Sequence, residues 1–139
     1  MSTPEPPLRL HERLAADTIP LHESPVGKVL LHRNASIPWL ILVPAGEHEQ
    51  LHELPAGQRE AVSQLLDRLA SFVVEHLGAA RVNVAAIGNL VPQLHVHVVG
   101  RSPGDPAWPG VVWGAELPDV SWGEEQVYGL REALASALA

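Results

Sequence analysis

Residues 92–101 read Pro-Gln-Leu-His-Val-His-Val-Val-Gly-Arg, polar and apolar side chains alternating with the period of an extended strand. In such a strand Gln93, His95 and His97 point to one face, and Leu94, Val96 and Val98 to the other. A fully apolar second face pins the strand against a core. The register is then fixed, because a slip of one residue would bury both histidines. Two imidazoles about 7 Å apart at the backbone, held on a rigid element, form a platform for chemistry.

The rest of the chain supplies that core. Residues 55–77 form the strongest helical stretch. Ala61, Val62, Leu65, Leu66, Leu69, Ala70, Val73 and Val74 recur at helical spacing, Pro55 suits the first turn and Gly78 the stop. Such a stripe reads as core-facing and not as a cofactor box. Residues 26–32 and 39–43 read as two strands joined by the Asn-Ala-Ser-Ile-Pro turn, an antiparallel hairpin ended by Pro44. Residues 81–87 and 94–99 read as two more, connected by residues 88–92. A short amphipathic helix is expected over residues 8–16, broken by Asp17 and Pro20. A Ser121-x-x-Glu124 capping box predicts a last helix towards Leu138. Between them, residues 102–121 are irregular and rich in Pro and Gly. Trp108, Trp113 and the adjoining Trp122 are expected to cover apolar surface near the sheet. This order predicts an α+β fold with a mostly antiparallel sheet, one long helix packed on it and a C-terminal helix. With 139 residues and no repeat or linker, one domain over 1–139 is expected, its core at about 20–110 and a C-terminal loop and helix at 111–139.

Composition removes several alternatives. The chain has no cysteine, so a disulfide scaffold, a zinc ribbon and a thiol nucleophile are all excluded. Its opening residues lack a basic segment followed by an apolar run, and no stretch approaches the roughly 18 apolar residues of a membrane span. A cytoplasmic protein without membrane partners is the expectation. The formal net charge is −7, and the basic residues are scattered singly from Arg9 to Arg131. No basic stripe can be assembled to track a nucleic acid. A phosphate-bearing substrate would therefore need positive potential from a local site. Eight histidines against nine Lys and Arg make histidine the residue type to follow.

Three readings of His95 and His97 are open on spacing alone. They can be solvent-facing strand residues. They can bind a metal, His-x-His on a strand being completed by His48 or His52. Or a neutral imidazole can attack a phosphoryl group, since an unperturbed pKa of roughly 6.5 leaves it largely unprotonated at neutral pH. His11, His22 and His76 read as surface residues, His76 at a helix end where a cation suits the dipole.

Residues 92–101 resemble the signature of the histidine triad family, histidine alternating three times with a hydrophobic residue, followed by two hydrophobic residues. His95 and His97 stand at the second and third histidines, and Gln93 replaces the first. The likeness extends to Leu42-Val43-Pro44, a long helix beginning near Leu54-Pro55, the Asn83-bearing strand and Trp108-Pro109-Gly110. It implies a nucleotide hydrolase or nucleotidyl transferase that acts on the α-phosphate of a nucleoside phosphate, of dinucleoside polyphosphate or phosphoramidate type. His95 would be the nucleophile and form a covalent nucleotidyl-histidine. His97, as an imidazolium, would contact phosphate; Asn34 would bind ribose hydroxyls; Asn83 and Asn89 would contact phosphates or the motif strand. Gln93 can donate a hydrogen bond but cannot titrate, so it would orient phosphate or fix His95 without delivering a proton. The loop at Gly88-Asn89-Leu90 lacks the family's usual Gly-Gln-Ser/Thr run. The resemblance further implies no obligatory cofactor, no bound metal, and a homodimer formed through the long helix and sheet edge. A module that keeps the nucleotide pocket with little turnover is the alternative from another class, and a histidine-based metal-binding protein a third.

Overall fold

The structure is a computed structural model that describes residues 8–139. The first seven residues of the opening stretch read for a secretory leader lie outside the described residues. Nine elements follow in order: α1 (Glu12–Asp17), β1 (Thr18–Ser24), β2 (Gly27–His32), β3 (Trp39–Pro44), a 3-10 turn (Leu51–Glu53), α2 (Ala56–Glu75), β4 (Arg81–Ala85), β5 (Val96–Arg101) and α3 (Glu124–Leu138). The strands form one antiparallel sheet in the order β1-β2-β3-β5-β4. The α+β expectation is met.

The uninterrupted apolar run of β3 is explained by its place between β2 and β5, where every residue is buried. Two apolar layers sandwich the sheet. On one face Leu40, Leu42, Leu94 and Val98 pack with Val62, Leu65, Leu69 and Val73 of α2, and with Leu130 and Leu134 of α3. On the other face Trp39, Ile41, Val43 and Val99 meet Leu14 of α1, with Val91 and Val112 from flanking loops. Gly100 lies where α2 and the turn after it press close on the sheet: a Cβ there would stand 2.5 Å from Val73 Cγ1 and 2.9 Å from Ala79 Cβ. Within α2 the buried stripe includes Phe72, whereas Val74 is exposed.

Four expectations change. β1 is a strand where the sequence reads only as the break after the first helix, at Asp17 and Pro20. Pro20 is tolerated there because β1 is a sheet edge, and the ladder slips between Pro20 and His22. Only residues 12–17 of the first segment are helical; Leu8 and Leu10 pack unwound against the second layer. β5 begins two residues later than expected, at Val96, and β4 ends two earlier, at Ala85. Ser121 does not cap α3. It bridges to Asn34, and the Gly123 N–H donates to Gln126 Oε1 (2.8 Å) at the true helix start. Among the described residues no helix is long and apolar enough to cross a membrane.

Candidate active site

His95 lies on the approach to β5 and His97 on the strand itself, their rings 5.0 Å apart and edge to face. Both lie on the face covered by α1 and by residues 107–117, and they are only 7% and 8% exposed. The solvent-facing reading is therefore wrong, because distant chain segments cover what the strand pattern leaves open. A cavity of about 750 Å³ opens beside them. That size suits a small-molecule site. Its walls come from α1 (Arg13, Leu14, Asp17), from β2 and β3 (His32, Trp39), from the loop at Asn89, and from Trp113.

Hydrogen bonds fix opposite tautomers on the two histidines. His95 Nδ1 lies 2.7 Å from the Gln93 carbonyl oxygen, which can only accept, so Nδ1 carries the proton. His95 Nε2 is left with a bare lone pair. Trp39 Nε1–H donates to His97 Nδ1 at 3.0 Å, so the neutral His97 carries its proton on Nε2. Burial, and after it the nearness of His95 and His32, pushes the His97 pKa down to about 4. An imidazolium at His97 is thus disfavoured twice: it is desolvated, and it would have to displace the Trp39 donor. The expectation of a cationic His97 on phosphate is corrected accordingly.

His32 joins the site although no motif in the sequence marks it. It stacks on Trp39 with ring centroids 4.3 Å apart, and its Nδ1 accepts from the Asn34 N–H (3.1 Å). Its pKa is also lowered, by burial against a partly opposing Asp17. Trp113 packs edge to face on His97, centroids 5.4 Å apart, and also on Trp39. Trp113 of the irregular segment thus covers apolar surface near the sheet, as expected, and does so against the site itself. The signal for His32 and Trp39 was available: they flank the hairpin turn on strands whose register pairs Leu31 with Leu40.

Of the residues singled out from sequence, His95, His97, Asn34 and Asn89 line the cavity. The Asn34 amide is partly committed, Nδ2 donating to Pro118 O and Oδ1 accepting from Ser36 N, both at 2.9 Å. Asn83 does not reach the cavity. Its Oδ1 accepts from Arg101 Nη1 (3.0 Å), so of its two expected roles only the contact to the motif strand holds. Gln93 also turns away: its amide binds the backbone of Arg9 and His11. It fixes His95 through its backbone carbonyl and not through its side chain. The cause is the late start of β5, which leaves residue 93 outside the strand alternation.

His48 holds the start of the motif through its backbone, its carbonyl accepting from the Leu94 N–H (2.8 Å). His52 lines a smaller cavity of about 280 Å³ that reaches His95 from the side of α2, together with Arg59. Among the described residues no three His, Asp or Glu side chains converge as metal ligands. His11 caps α1, its Nδ1 accepting from the Arg13 N–H, and His76 stacks on Phe72 at the end of α2.

The HIT domain family model matches residues 16–104. A histidine triad protein from Marinobacter aquaeolei VT8 is 44% identical, with 94% of this chain and 95% of that one covered and a TM-score of 0.85. One from Bradyrhizobium japonicum is 36% identical over 96% and 100% of the two chains, with a TM-score of 0.89. One from Sinorhizobium meliloti 1021 is 33% identical over 94% and 97%, with a TM-score of 0.87. None of the curated proteins compared with the chain matches it. The family model covers more than half of the sequence, and the chain belongs to the histidine triad family.

Proposed function

We propose that this chain is a nucleotide hydrolase or nucleotidyl transferase acting on the α-phosphate of nucleoside phosphates, with His95 as the nucleophile. Membership of the histidine triad family supports nucleotide binding and a hydrolase or transferase class. The observation that carries the finer reading is the pair of opposed tautomers. Beside one cavity, His95 offers a lone pair on Nε2 and His97 offers a hydrogen on its own Nε2.

In the first step His95 Nε2 forms a bond to the α-phosphorus. The bond from phosphorus to the leaving group breaks, and the leaving group departs with that electron pair. The positive charge arising on the ring is stabilised through Nδ1–H by the Gln93 carbonyl. His97 donates a neutral hydrogen bond from Nε2 to a non-bridging oxygen. In the second step the oxygen of water or of another acceptor bonds to phosphorus, and the bond from phosphorus to Nε2 breaks with its electron pair returning to the neutral imidazole. The acceptor's proton passes to solvent, giving nucleoside monophosphate or a transferred nucleotidyl group. Asn89 is assigned to the phosphates. Asn34, whose Oδ1 keeps a second lone pair, is assigned to the ribose hydroxyls. No step requires a metal. The homodimer is part of the proposal: among the described residues β4 pairs on one side only, and Val84 on it is 51% exposed.

A neutral imidazole at His97 is too weak an acid to protonate a leaving group near pH 7, so leaving groups that depart as stable anions are favoured. Diadenosine polyphosphate is expected to release AMP at least about tenfold faster than adenosine phosphoramidate, a difference of ~1.4 kcal/mol in barrier. Product analysis on both substrates checks this. AMP from neither would overturn the enzyme reading. Faster loss of the amine would overturn the role given to a neutral His97.

A further inference from the structure

Gln93 is where the motif departs from the family pattern, and its side chain is engaged far along the chain. Nε2 donates to the Arg9 carbonyl (2.8 Å) and Oε1 accepts from the His11 N–H (2.7 Å). A primary amide sets a donor and an acceptor side by side and so pairs with a backbone as another peptide group would. The two nitrogens of an imidazole point away from each other across the ring, so histidine at this position cannot meet both partners.

The segment held this way leads directly into α1. The His11 side chain caps that helix, while Leu8, Leu10 and Leu14 pack on the sheet. At its far end, Arg33 donates from Nε to the Ala16 carbonyl (2.6 Å) and from its backbone N–H to the Asp17 carbonyl (3.0 Å). Thr18 Oγ1 donates to the Leu14 carbonyl (2.6 Å). The six-residue helix is thereby fixed at both ends on the face that carries His95 and His97. Arg13 lines the cavity from this helix.

Charge singles Arg13 out. The chain is acidic overall, and His32 and His97 are held towards the neutral form. Among the residues that line the cavity, Arg13 is the one Lys or Arg. Among the described residues it is paired with no carboxylate, unlike Arg101, which Asp105 neutralises. Asp17, one turn further along α1, lines the same cavity and opposes an anion, which makes the cation at Arg13 the more necessary.

We infer that Gln93 is a positioning residue whose amide pins the backbone of Arg9 and His11, so that α1 presents the Arg13 guanidinium to the substrate's phosphate oxygens. This rests on the nucleotide reading above. The substitution in the motif is then an exchange: the first histidine is given up, and a cation from a remote segment enters the site.

Calorimetric titration of the full chain with AMP, and separately with adenosine, tests the inference. Arg13→Gln is expected to weaken AMP about tenfold, the lower end for a hydrogen bond to a charged group, and to leave adenosine unchanged. Gln93→Leu and Gln93→His should weaken AMP to a similar extent and speed hydrogen exchange at the His11 amide. The double variant Arg13→Gln/Gln93→Leu should be no weaker than the worse single one, because both changes remove the same contact. Arg13 is exposed, so Arg13→Gln is expected to fold even where the Gln93 variants do not. Three results would overturn the inference alone: AMP affinity within twofold of wild type in Arg13→Gln, losses that multiply in the double variant, or a loss found in Arg59→Gln instead. Failure of the wild-type chain to bind AMP would overturn both the inference and the nucleotide reading.

Discussion

Replacing His95 with alanine is expected to lower kcat for nucleotide release by at least about 10³-fold while nucleotide affinity changes little. The magnitude follows from losing the attacking atom itself, which neither His97 nor Gln93 can replace. His97 Nε2 carries a hydrogen and its Nδ1 lone pair is occupied by Trp39 Nε1–H, so it offers no free nucleophile. The Gln93 amide is bound to the backbone of residues 9 and 11. The variant leaves the Gln93 carbonyl without its donor, at a stability cost of about 1–3 kcal/mol, too little to unfold most domains of this size. His97→Gln should be milder, about 10–100-fold, because an amide N–H can still donate to phosphate. Steady-state kinetics with AMP titration separates the two. Comparable losses at both positions would remove the distinction between nucleophile and donor.

Asp105→Ala is expected to destabilise the fold by about 3–5 kcal/mol, because it strands a buried guanidinium. Arg101 is 2% exposed. Its Nε and Nη2 donate to the two Asp105 oxygens at 2.8 and 3.0 Å, its Nη1 donates to Asn83, and it lies under the Trp108 ring. Asp105 also accepts from the backbone N–H groups of Ser102 and Ala107. The pair therefore anchors the start of the segment that carries Trp113 to the cavity. A fall in Tm of roughly 10–20 °C follows from that cost. Arg101→Met, which removes the buried charge along with its partner contact, should cost less.

The same pair sets an acid limit. Hydrogen bonding from Arg101 holds the Asp105 carboxyl at about 2, below its ordinary 3.8. A lowered carboxyl pKa means that the unfolded chain binds the proton more readily than the folded one. The contribution is complete above the ordinary value and is lost as pH falls from about 4 towards 2. His97 acts in a second window. Its folded pKa of about 4 lies below the ordinary 6.5, so its share of stability also declines with acidification, between pH 6.5 and 4. Thermal melts across pH 2–7 should show two slopes in wild type and lose the lower one in Asp105→Ala. A lower slope unchanged in that variant would assign acid loss to other groups.

What could be read from the sequence was what depends on local period. The stripe of α2, the β2–β3 hairpin and the apolar side of residues 94–98 all follow from side-chain spacing, and they stand where expected save that Phe72 joins the stripe and Val74 leaves it. β1 was missed because Pro20 reads as a breaker unless its strand is known to be a sheet edge. The site was legible as residue types and not as geometry. His97 takes its tautomer from Trp39, 58 residues away, and Gln93 takes its partners from 82 and 84 residues away. No periodicity encodes such pairings. The burial of both histidines has the same origin, since their cover comes from α1, far before the motif in the chain, and from the irregular segment after it.

A covalent nucleotidyl-His95 intermediate is the centre of the proposed mechanism, and the configuration at phosphorus tests it directly. Each in-line displacement inverts the α-phosphorus, so two successive displacements return it to its starting configuration. With a substrate made chiral at that phosphorus by sulfur and labelled with heavy oxygen, turnover is predicted to give net retention. Net inversion would show water attacking in a single step, with His95 acting as a base or a donor and never bonded to phosphorus.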